Sequence, residues 1–138
     1  MAPNQAEQLA YVIVPCEDLD RMKAFYRNLL VFPVEAETPT TLVFRAGSVL
    51  LALRKRTRDY DGRGTRADLP GVQIAFLVSL AEVNSHYRRL VQKGVHIFDP
   101  PTDRAWGHRT LHFSDPEGNI LEYYADIPPA SLTGPSAR

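Results

Sequence analysis

The stretch Arg109-Thr110-Leu111-His112-Phe113-Ser114-Asp115-Pro116-Glu117-Gly118-Asn119-Ile120-Leu121-Glu122-Tyr123-Tyr124 decides how this chain is read. Residues 109–113 and 119–124 read as two strands. Ser114-Asp115-Pro116-Glu117-Gly118 between them has the proline and glycine placement of a tight turn joining paired strands. Ahead of this pair lie a strand at 95–98 and a proline-containing loop at 99–107. Further upstream, Leu80, Val83, Tyr87, Leu90 and Val91 recur at helical spacing and stop before Gly94, and residues 72–78 (VQIAFLV) read as the strand before that helix.

The same order appears a second time toward the N-terminus. Residues 9–14 (LAYVIV) read as a strand ending at Pro15, and Glu17 and Asp18 then offer helix-starting carboxylates. Leu19, Met22, Phe25, Tyr26, Leu29 and Leu30 follow at helical spacing, and 32–37, 41–46 and 49–54 are short strands with Pro39 and Gly47 at the turns. Residues also echo: Phe25-Tyr26-Arg27-Asn28-Leu29 against His86-Tyr87-Arg88-Arg89-Leu90, and Gly47-Ser48-Val49-Leu50-Leu51 against Gly118-Asn119-Ile120-Leu121-Glu122. The reading is an α+β chain of two tandem βαβββ modules, 9–54 and 71–125, joined by a charged linker at 55–70. Residues 126–138 are expected to be a flexible tail, and 1–8 a short polar lead-in. Modules this small are expected to share one core or cavity, side by side or between chains.

Composition narrows the function. The 138 residues carry sixteen Lys and Arg against sixteen Asp and Glu, a balance that argues against an electrostatically driven nucleic-acid binder. The longest apolar runs are too short to cross a bilayer, and no secretory signal pattern opens the chain, so a cytoplasmic protein is expected. Cys16 stands alone, which leaves no internal disulfide and no thiolate zinc cluster, and a packed thiol is expected at its strand-to-helix corner.

The doubled pattern resembles the vicinal oxygen chelate superfamily, which includes glyoxalase I, extradiol dioxygenases, fosfomycin-modifying enzymes and bleomycin-resistance proteins. Four stretches carry the resemblance: Asp18-Leu19 with Phe25-Tyr26, residues 71–76, Trp106-Gly107-His108-Arg109, and Asp115 through Glu122. The resemblance implies curved sheets around a shared cavity. It also implies a homodimer and, in metal-dependent members, ligands from the first and last strands of each module. Those positions fall here on Tyr11, Leu51, Gln73 and Glu122. Glu122 is a good ligand and Gln73 a tolerable one, whereas Leu51 has no donor and a tyrosine ionises only near pH ~10. No cofactor is therefore expected; the alternative is a divalent metal held by Glu122 and Gln73 with further ligands unidentified, His108 and His112 being the replacements a shifted register would bring.

Trp106, Glu122, Tyr124, Gln73, Tyr11 and Leu51 are expected to line a small-molecule cavity, mostly apolar with a few polar handles. Trp106, the only tryptophan, would stack on a flat conjugated ligand or simply anchor its loop. Glu122 would meet the ligand or pair with a basic neighbour such as Arg109. Glu122 and His112 are the candidates for a general acid or base. The basic linker arginines would form a solvated loop or a flap over the cavity. The expected function is sequestration of an aromatic or conjugated metabolite or antibiotic. Overall neutrality argues for a neutral or anionic ligand. The alternative is a lyase, isomerase or dioxygenase-type enzyme working through Glu122.

Overall fold

The structure is a computed structural model that describes residues 8–57 and 73–129. The chain divides into two compact units, Met1–Arg66 and Ala67–Arg138. The first holds β1 (Tyr11–Cys16), α1 (Leu19–Leu29), β2 (Val34–Thr38), β3 (Thr41–Ala46) and β4 (Val49–Lys55). The second holds β5 (Ile74–Leu77), α2 (Leu80–Gln92), β6 (Ile97–Asp103), β7 (His108–Ser114) and β8 (Ile120–Asp126). Each unit is a four-stranded sheet, β1-β4-β3-β2 or β5-β8-β7-β6, whose first strand pairs in parallel with its last. These are the two tandem βαβββ modules. The basic linker arginines Arg58, Arg63 and Arg66, residues 71–72, the lead-in 1–7 and the tail 130–138 lie outside the described residues.

Each helix starts where its sequence offers a cap. The Asp18 carboxylate accepts from the Arg21 N–H at 3.1 Å. Ser79 and Glu82 form a reciprocal capping box: the Glu82 N–H donates to Ser79 Oγ and the Ser79 N–H to Glu82 Oε1. The apolar stripe of α1 buries Leu19, Met22, Tyr26 and Leu29. That of α2 buries Val83 and Leu90 but leaves Val91 exposed, so it is narrower than its sequence suggests. In unit 1 the helix side of the sheet carries Leu42, Phe44, Leu51 and Leu53; in unit 2 it carries Leu111, Phe113, Leu121 and Tyr123. Cys16 is the expected packed thiol: it is fully buried, and its Sγ–H donates to the Val14 carbonyl at 3.3 Å.

Three prolines misplace strand ends in the sequence reading. β1 runs through Pro15 to Cys16, because β1 is an edge strand with a hydrogen-bonding partner on one side only. Residues 99–103, expected as loop, are strand: β6 runs through Pro100 and Pro101. It too is an edge strand, and its register slips between Ile97 and Asp99 and again between Asp99 and Thr102. Edge placement and bulging remove the need for the missing N–H groups. At the other end, β8 continues to Asp126, and the Ile127 N–H donates to the Gly107 carbonyl at 2.8 Å. The packed part of unit 2 therefore extends past residue 125.

The two hairpins that end the modules differ in length. Ala46 pairs with Val49 across Gly47-Ser48, with Gly47 at φ 70°. Ser114 pairs with Ile120 across the longer Asp115–Asn119 turn, closed by Gly118 at φ 85°. Asp115 organises that turn. Its Oδ1 accepts the Glu117 and Asn119 N–H groups at 2.9 and 3.0 Å, and its Oδ2 accepts from Asn119 Nδ2 at 2.8 Å. The extra turn residues shift the alternation of β8 by one relative to β4, with consequences for the site.

Candidate functional site

Strand alternation sorts unit 2 into two faces. Leu121, Tyr123 and Ala125 of β8 are buried on the side of α2, where His86 of the helix stacks on Tyr123 with ring centroids 4.0 Å apart. Glu122 and Tyr124 therefore point to the other face, as expected of a shared lining. The β7 register adds His112 beside Glu122, Thr110 beside Tyr124 and His108 beside Asp126. On the far side of β8, the parallel register sets Ala75 beside Glu122 and Leu77 beside Tyr124.

The polar centre of this face is an imidazole–carboxylate pair. His112 Nε2 lies 3.3 Å from Glu122 Oε1, with both side chains about four-fifths buried (22% and 20% exposed). His112 Nδ1 is buried and has no hydrogen-bond partner among the described residues. Glu122 is not paired with Arg109, the basic partner anticipated from sequence. Arg109 instead donates to both carboxylate oxygens of Asp103 at 2.7 and 3.2 Å, which holds the Asp103 carboxyl below the usual range and the guanidinium above it. The reason is register: Arg109 pairs with Ala125 and lies on the opposite side of β7 from His112.

A second polar group sits alongside. Arg104 donates from Nε to Thr110 Oγ1 at 2.9 Å and from Nη2 to Asp99 Oδ2 at 3.0 Å. This covers Thr110, which is 1% exposed. The Arg104 guanidinium also lies 5.9 Å from the Trp106 ring. Trp106 is 60% exposed on the turn between β6 and β7. Toward the chain end, His108 Nε2 is 3.2 Å from Asp126 Oδ1, and its ring meets that of Tyr124 at 4.8 Å. Arg104, Thr110 and Asp126 were not among the sequence-derived site residues. Arg104 and Thr110 join the face only through the unanticipated length of β6 and the β7 register.

Gln73 is exposed and stands just ahead of β5, with Ala75 rather than Gln73 level with Glu122. In unit 1, Tyr11 is half-exposed and pairs with Leu50. Leu51 is a correction: it is 3% exposed and packs on the α1 side, level with Val12 and Phe44, on the face opposite Tyr11. The residue of β4 that corresponds to Glu122 by sheet face is Ala52, level with Ile13 as Glu122 is level with Ala75. Leu53 likewise belongs to the core and not to a cavity lining.

A sequence match to a known family covers these same strands. A family model described as Glyoxalase/Bleomycin resistance protein/Dioxygenase superfamily matches residues 8–123. The chain belongs to this superfamily. Among its relatives is a metallothiol transferase FosB of Lysinibacillus sphaericus, 25% identical over 118 residues, which cover 86% of this chain and 82% of the relative. An uncharacterised protein, YraH of Bacillus subtilis, is 29% identical over 114 residues, covering 78% of this chain and 89% of its own length. Solved structures share the fold. A glyoxalase-related enzyme from Fulvimarina pelagi matches with a TM-score of 0.73 at 20% identity, covering 88% of this chain and 89% of that one. The fosfomycin resistance protein FosX of Mesorhizobium loti matches with a TM-score of 0.68 at 20% identity, covering 89% and 95%.

Metal-dependent members of the superfamily would place a metal on the Tyr11, Leu51, Gln73 and Glu122 positions. The residues present do not fit one. Leu51 is a core hydrocarbon, Tyr11 a phenol and Gln73 a neutral amide out of register with Glu122. Among the described residues no three His, Cys, Asp or Glu side chains gather as a ligand set. His112 and Glu122 stop at two donors. No helix among the described residues is long and apolar enough to cross a membrane.

Proposed function

We propose that this superfamily member binds a small aromatic or conjugated organic molecule, as a metal-free, resistance-type binding protein acting as a homodimer. The observation that carries the reading is the face of unit 2. There a largely buried Glu122–His112 pair lies beside the Tyr124 and His108 rings, with Trp106 on the adjoining turn. A few polar groups set among apolar and aromatic surface are what orient and hold a small ligand.

The experiment is a ligand panel followed by Trp106 fluorescence and calorimetry on the full chain. Saturable binding is expected, unchanged by a chelator and weakened about tenfold or more in Tyr124→Ala and in Glu122→Ala. No saturable binding across the panel, or unaltered affinity in both variants, would remove this reading. Sedimentation analysis checks the dimer.

A second reading is favoured by Glu122 itself together with the name metallothiol transferase carried by the Lysinibacillus relative. It is an enzyme that uses Glu122 with a divalent metal and a ligand set of its own. Metal analysis of protein purified without chelators separates the two. A stoichiometric divalent metal that disappears in Glu122→Ala would replace the binding-protein reading with the enzyme.

A further inference from the structure

The chain is neutral as a whole, but the face that carries Glu122 is not. Its charged groups come from three strands and one connection. β8 supplies Glu122 and Asp126, β7 supplies His108 and His112, and β6 with the turn after it supplies Asp99 and Arg104. From β5 come only Ala75 and Leu77. Asp99 is neutralised by Arg104 at 3.0 Å. Glu122 and Asp126, by contrast, are partnered by imidazole rings and not by a guanidinium or ammonium group. Asp126 is three-quarters exposed and screened by water, whereas the Glu122 carboxylate is four-fifths buried. The field on this face is therefore negative and centred on Glu122. The Tyr124 and His108 rings lie along the strands beside it.

We infer that Glu122, His112 and the Tyr124 ring form a subsite for an aromatic ligand bearing a protonated or N–H-donating nitrogen, such as an amine, amidine or guanidine. The nitrogen donates to the Glu122 carboxylate and the ring lies on Tyr124. The inference rests on the reading that this face binds an aromatic molecule, and it reverses the ligand charge suggested by composition.

The test uses three probes of one shape, benzamidine, benzyl alcohol and benzoate, titrated into isotope-labelled full chain and followed by amide and imidazole NMR shifts. Benzamidine is expected to bind at least about tenfold tighter than benzoate and to shift the resonances of 120–126 and His112. Glu122→Gln, which keeps the shape of the side chain, should abolish the preference for benzamidine over benzoate. Equal binding of all three probes to the wild-type protein would overturn this inference and leave the aromatic-ligand reading standing, as would tighter binding of benzoate. Binding of none of them would overturn both. Because the probe comparison needs no variant, a folding defect in Glu122→Gln does not blunt it.

Discussion

Tyr123 keeps its phenol in the core under α2, stacked on His86 and 5.4 Å from the Phe113 ring. Burial raises its pKa from 10.0 to about 12, against the opposing pull of the Arg89 charge and hydrogen bond. A raised folded-state pKa means that the unfolded chain releases this proton first. The stabilisation is complete below the unfolded value near 10 and is lost as pH rises through the folded value near 12. Stability should fall by about 2–3 kcal/mol across that window, beyond what Tyr123→Phe loses there. Denaturant unfolding of both proteins at stepped alkaline pH measures it; identical slopes would show that this phenol does not carry the effect. His86 works in the opposite range. Burial first, and then the Arg89 charge, lower its pKa, and the guanidinium donates to Nδ1 at 2.6 Å, so the half-buried ring packs as the neutral form. Its contribution is present above the ordinary imidazole value and declines on acidification.

At the scale of strands and turns, turn length decides which side chains meet. Counting from Gly47 and Gly118 sets Leu51 against Glu122, and that count presumes hairpins of equal length. The Asp115–Asn119 turn is longer than Gly47-Ser48, so the β8 alternation is offset, and Leu51 goes to the core while Glu122 goes to the other face. Leu51→Ala should therefore cost about 2–5 kcal/mol in denaturant unfolding, the price of a core cavity. The same measurement on Tyr11→Ala, half-exposed on the opposite face, should give a clearly smaller loss. Comparable losses would refute the assignment of faces. The helices, the β3 limits and the order of elements were legible because apolar spacing and capping residues act locally. The length of β6 was not, because Pro100 and Pro101 signal a loop unless the strand is known to lie at a sheet edge.

For the molecule as a whole, the decisive quantity is where charge and donors gather, not how many there are. Sixteen positive against sixteen negative side chains predict nothing about the face carrying Glu122, where two carboxylates face imidazoles. The same holds for metal binding. A chelator is expected to leave the melting temperature of the full chain unchanged, because no group that stabilises the fold here is a metal ligand set among the described residues. A fall in melting temperature on chelation, restored by one divalent ion, would show otherwise. By itself the sequence determined the doubled βαβββ order and the placing of Glu122 and Tyr124 on a common face, both consequences of short-range periodicity, and its motifs carried the resemblance to the superfamily. Only the tertiary structure decided that His112 is the partner of Glu122, that Arg109 is not, and that Leu51 is core. Those outcomes depend on cross-strand register, which turn length and edge bulges set and which no local pattern in the chain encodes.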